Sequence, residues 1–116
     1  MKPAIVLPFH DPSGLLFLHL ETVLPKLREL FEFAFLSFSP TTKQLQRVQI
    51  DQLTHEDFFR INFNHPRTQL GDHYLSAYQN ALAYCPPEQV LHLCDIDKVA
   101  CILNSEYHDL FVADVL

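Results

Sequence analysis

Two aspartates, Asp95 and Asp97, follow directly on the apolar run at residues 90–94 and are separated by one residue. If the chain is still extended there, both side chains point to the same side. Two such carboxylates can hold a hard divalent cation, Mg²⁺ or Mn²⁺, which prefers oxygen ligands and keeps positions open for phosphate. The cation offsets the charge of a diphosphate and stabilises it as a leaving group. The competing interpretation is that Asp97 caps a helix from Lys98 onward while Asp95 is a solvated strand end.

Cysteine and histidine side chains are the other candidates for chemistry. Cys94 could be the nucleophile of a Cys/His hydrolase, but no activating partner stands at a recognisable spacing, so we expect it to pack as a small apolar group. The seven histidines show no HxxxH or HExxH spacing, which argues against a zinc site. His92 alternates with apolar neighbours and is expected to be a hydrogen-bonded histidine of a strand. His10 follows a strand end and is the better functional candidate.

Apolar runs and helical spacings predict the elements that must position these residues. The predicted strands are residues 4–7, 33–38, 47–50 and 89–94. The predicted helices are residues 16–30, which Pro25 kinks or breaks, residues 43–45, residues 68–85, and two short helices after Asp97. Residues 54–67 are ambiguous, with either a short helix or a strand at 59–63. Together they predict an α/β fold: a three-layer, Rossmann-like, mostly parallel sheet of about four strands with flanking helices, in one domain spanning residues 1–116.

Polar segments follow three of the predicted strands. Ligands of such sheets bind outside the carboxyl ends of the strands, at the point where the strand order reverses. The three segments are Phe9-His10-Asp11, Ser39-Pro40-Thr41-Thr42 and Asp95-Ile96-Asp97. We therefore expect a ligand site at this edge of the sheet.

Composition and charge exclude several classes of function. The formal charge is −6, and the eight lysines and arginines are scattered along the chain, so a nucleic-acid partner is disfavoured. No GxGxxG or GxxxxGK[ST] motif occurs, which argues against a glycine-rich dinucleotide fold and a P-loop. No apolar stretch approaches the ~20 residues that cross a bilayer. Three cysteines without a CxxC pair indicate reduced thiols and a cytoplasmic location.

Three segments, in order, resemble the GT-A glycosyltransferase superfamily, particularly its family-2-like members. The first is Ile5-Val6-Leu7-Pro8-Phe9-His10, a strand that ends in a proline-containing turn. The second is Gly71-Asp72 with Ala77-Tyr78-Gln79-Asn80-Ala81-Leu82, similar to the family's Ala-x-Asn-x-Ala helix. The third is Val90-Leu91-His92-Leu93-Cys94-Asp95-Ile96-Asp97, a hydrophobic strand that leads into DxD. The match covers nearly the whole chain.

The resemblance implies a set of site residues and a ligand. It implies that a nucleotide-sugar is bound by the first loop, by Asp51 as a base or ribose contact, and by Asp95. The first-loop residues are Pro8, Phe9, His10 and Asp11. It also implies that Asp95 and Asp97 hold Mg²⁺ or Mn²⁺. The chain departs from the family where Ser39-Pro40-Thr41-Thr42 replaces the usual aspartate pair, and it ends at Leu116, about where the acceptor-binding half would begin.

Two functions follow as expectations. The first is the donor-binding portion of a metal-dependent glycosyltransferase-like protein, weak or inactive as a transferase by itself. The alternative is a non-catalytic GT-A-like domain that acts in binding or homo-oligomeric assembly. The phenylalanines are most simply core residues, but they could also leave an exposed patch for a second copy. These residues are Phe31, Phe33, Phe35, Phe38, Phe58, Phe59 and Phe63.

Overall fold

The computed structural model describes residues 2–65 and 72–115, which form four strands and six α-helices. The strands are β1 (Ala4–Phe9), β2 (Ala34–Phe38), β3 (Phe59–Phe63) and β4 (Leu91–Leu93). The helices are α1 (Leu15–Leu30), α2 (Pro40–Leu45), α3 (Arg47–Thr54), α4 (His73–Tyr84), α5 (Ile96–Leu103) and α6 (His108–Val115).

All strand pairs in the sheet are parallel, and the strand order is β3-β2-β1-β4. The predicted α/β, mostly parallel, four-stranded fold is therefore confirmed. The chain adds β2 and β3 on one side of β1 and then returns to place β4 on the other side. This reversal puts the topological switch point between β1 and β4, where ligands bind in sheets of this kind.

Strand lengths differ at the carboxyl edge of the sheet. β1 and β2 end together, with Phe9 paired to Phe38, whereas β4 ends with Leu93 paired to Val6. The Cys94 amide still donates to the Val6 carbonyl (3.0 Å), and the chain then leaves the sheet. A space opens beside the last residues of β1 because β4 stops short of them.

Side chains alternate between two faces of the sheet, because successive residues of a strand point to opposite sides. The side that includes Ile5, Leu7 and Leu36, here called the α1 face, packs mainly against α1 and α5 in the larger core cluster. The opposite side, here called the α4 face, carries Val6 and Phe35 and packs against Ala77 and Ala81 of α4. Every residue of β1 and β2 is buried, as expected for strands covered on both faces.

Helix α1 runs unbroken through Pro25, so the predicted break at this residue does not occur. Its buried side chains recur every three or four residues and face the sheet: Phe17, Leu20, Val23, Leu27 and Leu30. The Asp11 carboxylate accepts the amides of Leu16 (2.8 Å) and Phe17 (3.3 Å) at the start of the helix. Gly14 just before it has φ 83°, a left-handed conformation that glycine adopts without a steric penalty.

The prediction of a strand at residues 47–50 is wrong, because these residues begin helix α3. In a strand, Val48 and Ile50 would share one face, whereas on the helix Ile50 is buried and Val48 is 68% exposed. The third strand is β3, at residues 59–63, one of the two interpretations that the sequence left open. The predicted start of the fourth helix at Thr68 lies outside the described residues.

Helix α4, which falls within the helix predicted at residues 68–85, buries three residues at a spacing of four: His73, Ala77 and Ala81. Tyr74 and Leu82 of this helix are exposed. Alanine allows α4 to lie close to the sheet, and the larger side chains project away from it. Within the described ranges, no helix is both long and apolar enough to span a membrane.

Candidate functional site

An open cleft of about 320 Å³ lies at the switch point, beside the carboxyl ends of β1 and β4. Its walls come from the loop after β1, the first turns of α1 and α4, and the start of α5. The lining residues are Pro8, His10, Leu16, His73, Tyr74, Asp95, Ile96, Asp97 and Lys98. We call this space the switch cleft.

Asp95 and Asp97 both line the switch cleft, but not by the route that was expected. The backbone is extended at Asp95 (φ −80°, ψ 137°) and helical from Ile96, so Asp97 lies in the first turn of α5. The expectation that an extended chain directs both side chains to the same side is therefore wrong. Instead, the turn from β4 into α5 brings the two carboxylates to one cleft. The start of a helix also favours a negative charge at Asp97.

The Asp95 carboxylate is held by Tyr74 rather than by the helix. The Tyr74 hydroxyl donates to Asp95 Oδ1 at 2.6 Å, and the Asp95 side chain caps no amide of α5. This hydrogen bond is the main reason that the pKa of Tyr74 is raised to about 12; burial and the charges of Asp95 and Asp97 act in the same direction. The tyrosine therefore stays protonated and orients one carboxylate oxygen.

The four residues expected from the first loop divide into two pairs. Pro8 and His10 line the switch cleft, and His10 Nδ1 lies 2.9 Å from Ser39 Oγ. Phe9 is fully buried and packs its ring against Phe17 (5.0 Å between centroids), on the α1 face. Asp11 is also buried, and its carboxylate caps α1. Phe9 and Asp11 thus have structural roles here.

The polar turn after β2 supports the first loop. Ser39 caps α2 by accepting the Thr42 amide, and the Thr42 hydroxyl accepts the Asp11 amide at 2.7 Å. Together with the contact between Ser39 and His10, these bonds join the carboxyl ends of β1 and β2. The polar segments after β1 and β2 therefore lie side by side at the carboxyl edge of the sheet.

Asp51 lies elsewhere. It sits on α3, exposed, in a second cleft of about 350 Å³ that we call the α3 cleft. The lining residues are Lys43, Arg47, Ile50, Asp51 and Phe63. Lys43 places its ammonium 4.8 Å from the centre of the Phe63 ring. The expected base or ribose contact from Asp51 rested on a strand at residues 47–50, and that strand is a helix.

His73 is a cleft residue that sequence reasoning missed. It is 2% exposed, and its Nδ1 is hydrogen-bonded to the Asn64 side-chain amide. Burial lowers the pKa of the imidazole, and His10 lowers it further, while the Phe9 carbonyl and Asp95 act in the opposite direction. The available signal was a histidine at helical spacing with Ala77 and Ala81, a polar residue on an otherwise small, apolar stripe.

The other candidates behave as packing residues. Cys94 is half-buried against the larger core, and burial together with the nearby Asp95 raises the pKa of its thiol. A raised pKa disfavours the thiolate that nucleophilic catalysis requires. The His92 ring packs edge-on to Phe31, with 5.7 Å between centroids. Six of the seven phenylalanines singled out above are buried, and Phe63 is 41% exposed.

Metal binding in the switch cleft would rest on two carboxylates. Among residues 2–65 and 72–115 there is no group of three or more His, Cys, Asp or Glu side chains that could hold a metal ion. Asp95 and Asp97 could supply two oxygen ligands, and the remaining positions would fall to water and to a ligand, as is usual for Mg²⁺ bound with phosphates.

No protein-family model matches the chain, and no curated protein or solved structure matches it either. The resemblance to GT-A transferases therefore remains a prediction from the residues of this chain.

Proposed function

We propose that the chain binds a nucleotide-diphosphate sugar with Mg²⁺ or Mn²⁺ in the switch cleft, as the donor-binding portion of a glycosyltransferase-like protein. One observation carries the proposal: Asp95 and Asp97 line the same open cleft, at the switch point of a parallel sheet. Two carboxylates repel an anion by themselves, but a bound divalent cation reverses the sign of the local field and coordinates phosphate oxygens.

Further groups in the switch cleft suit such a ligand. The exposed Lys98 lies at the cleft beside Asp97 and could pair with a phosphate. Tyr74 offers an aromatic surface and a hydroxyl that is already directed at Asp95. The cation would supply charge neutralisation, while the residues of the chain would bind and orient the donor.

Calorimetric titration of UDP-glucose and GDP-mannose, with and without Mn²⁺, tests this proposal. We expect binding that requires the metal and that falls at least about tenfold in Asp97→Ala and in Asp95→Asn. Asp95→Asn keeps an acceptor for the Tyr74 hydroxyl and removes only the charge. Asp114→Ala, an exposed aspartate of α6 outside the cleft, is the matched control. Metal-independent binding, or unchanged affinity in Asp97→Ala, would contradict the proposal.

Asp51→Ala tests the one implied contact that lies outside the switch cleft. Because Asp51 lines the α3 cleft, we expect the affinity for either nucleotide-sugar to stay within about twofold of wild type. A loss as large as that of Asp97→Ala would show that the ligand extends across both clefts.

The alternative, a GT-A-like domain used for assembly, is favoured by exposed apolar side chains on α4. Leu75 and Leu82 are 57% and 52% exposed and lie two helical turns apart, on the same side of the helix. Sedimentation velocity over a range of concentrations tests self-association. A monomer at every concentration, in wild type and in Leu82→Ser alike, would count against assembly.

A further inference from the structure

A chain of polar side chains is buried on the α4 face, beneath the switch cleft. The Asn62 amide nitrogen donates to Ser37 Oγ (3.1 Å), and the Ser37 hydroxyl donates to Asn64 Oδ1 (3.0 Å). The Asn64 amide nitrogen then contacts His73 Nδ1. Ser37 is 0% exposed, Asn64 5% and His73 2%, so water does not compete for the bonds that join these three side chains, whereas Asn62 is half-buried.

This order of donors and acceptors determines which nitrogen of His73 carries the proton. In the structure Ser37 accepts from Asn62 and donates to Asn64 Oδ1, and the amide nitrogen of Asn64 faces the imidazole. Nδ1 is therefore the acceptor, and the neutral ring carries its proton on Nε2. Asn64 is the positioning residue for this tautomer.

His73 Nε2 makes no hydrogen bond of normal geometry within residues 2–65 and 72–115, although the Phe9 carbonyl is close enough to raise the pKa of the ring. It is the only buried side-chain nitrogen or oxygen in those ranges that lacks one. Buried polar groups are almost always paired, so an orphan of this kind needs an explanation. The buried ring lines the switch cleft, on a side here called the cleft floor, and His10 and Asp95 are close enough to influence its charge. A ligand oxygen in the cleft would supply the missing acceptor.

We infer that His73 donates its Nε2 hydrogen bond to a hydroxyl oxygen on the sugar of the bound ligand. The inference rests on the proposed function and deepens it by assigning the sugar, rather than the diphosphate, to the cleft floor.

Charge and burial favour a hydroxyl at this position. A hydroxyl can accept from His73 and donate to the Asp95 carboxylate at the same time. An ionised phosphate oxygen placed directly on the buried His73 ring, away from the cation, would lose its hydration without gaining a counter-charge, which is costly. The exposed Asp97 and Lys98 give the diphosphate a better place at the mouth of the cleft, where a cation and water can reach it.

Two substitutions of His73 separate the ligand contact from the packing. In His73→Asn the shorter amide reaches the position of Nδ1, so it keeps the partner of Asn64 and lacks the Nε2 donor. In His73→Gln the longer amide reaches the position of Nε2 and can donate there. His92→Asn, which changes a half-buried histidine outside the cleft, is the matched control.

Titrations with UDP-glucose and with UDP, both in Mn²⁺, give the readout. We expect His73→Asn to weaken UDP-glucose binding about tenfold and to leave UDP within about twofold of wild type. His73→Gln should recover part of the loss, and His92→Asn should bind both probes as wild type does. Circular dichroism melts confirm that each variant is folded.

Three results would overturn the inference. Equal loss of UDP and UDP-glucose in His73→Asn would place the contact on the nucleotide, and unchanged UDP-glucose affinity would remove the contact altogether. Long-range ¹H–¹⁵N correlation of the wild-type histidines, which needs no ligand, must show the proton of His73 on Nε2; a proton on Nδ1 excludes the donor. Wild-type protein that binds neither probe would end the proposed function as well, which distinguishes that failure from the other three.

Discussion

The two faces of the sheet are built from the same strands but differ in chemistry. On the α1 face the buried strand residues are apolar to the end of each strand, and α1 and α5 cover them. On the α4 face the apolar cluster contains six buried residues of the described ranges, two of them the alanines of α4. Toward the carboxyl edge this face continues with Ser37, Asn62 and Asn64, side chains that bond to one another.

Because of this difference, we expect the two faces to contribute unequally to the stability of the fold and to ligand binding. Burying apolar area stabilises the fold by about 25 cal/mol per Å², whereas a buried, fully paired polar chain contributes little net free energy. The α1 face is therefore expected to supply most of the stability. Under the proposed function, the polar end of the α4 face orients His73 beside the switch cleft.

Leu36→Ala tests the α1 face and should have the largest effect. Leu36 is fully buried in the larger core, so the cavity should lower the free energy of unfolding by about 2–5 kcal/mol. Urea denaturation followed by circular dichroism measures the loss. Nucleotide-sugar affinity, corrected for the folded fraction, should not change.

Ser37→Ala is the matched change on the α4 face, one residue further along the same strand. It leaves the Asn62 amide and Asn64 Oδ1 without their shared partner, at a cost of about 1–3 kcal/mol. Urea denaturation should show a smaller loss than for Leu36→Ala, and calorimetry a larger loss of UDP-glucose affinity. A larger loss of stability in Ser37→Ala than in Leu36→Ala, together with a smaller loss of UDP-glucose affinity, would contradict the different roles expected for the two faces.

In a metal-free buffer, the pH dependence of the free energy of unfolding should report on His73, a titratable residue on the α4 face. The pKa of His73 is lower in the folded protein than in the unfolded chain, mainly because burial disfavours the charged ring. The unfolded chain therefore takes up the proton first, and the stability that His73 contributes is complete above about pH 6.5. It is lost as the pH falls below that value toward the lowered pKa. Urea denaturation between about pH 5 and about pH 7.5 should show a shallower slope for His73→Asn than for wild type; identical slopes would contradict the prediction.

Arg60→Met should have the smallest effect, although Arg60 also lies on the α4 face. Its guanidinium lies 5.2 Å from the centre of the Phe33 ring, and Nε donates to the Tyr84 hydroxyl at 2.9 Å. These contacts are solvent-accessible and the methionine keeps the apolar stem, so the expected destabilisation is under about 1 kcal/mol. A thermal melt is sufficient to check it. A loss comparable to that of Ser37→Ala would show that this end of the face is also a buried polar network.

Sequence reasoning succeeded where the signal is local and failed where it is not. The runs that became β1 and β2 are almost wholly apolar, and parallel strands buried on both faces require such runs. The 47–50 segment failed because four residues with two apolar side chains fit a strand and a helix equally well. Pro25 did not break α1, because the surrounding packing outweighed the local penalty.

The sequence by itself determined the fold class, the apolar strands β1 and β2, and the position of Asp95 and Asp97 just after a strand. Each of these depends on the identity and spacing of neighbouring residues along the chain. Only the tertiary structure decided that β4 lies beside β1, that Asp51 lines a separate cleft, and that His73 closes a chain of hydrogen bonds starting at Asn62. Strand order and side-chain networks are set by contacts between segments that are distant in the sequence. These contacts stabilise the protein only when they are buried, and they become buried only when the sheet and its helices have assembled.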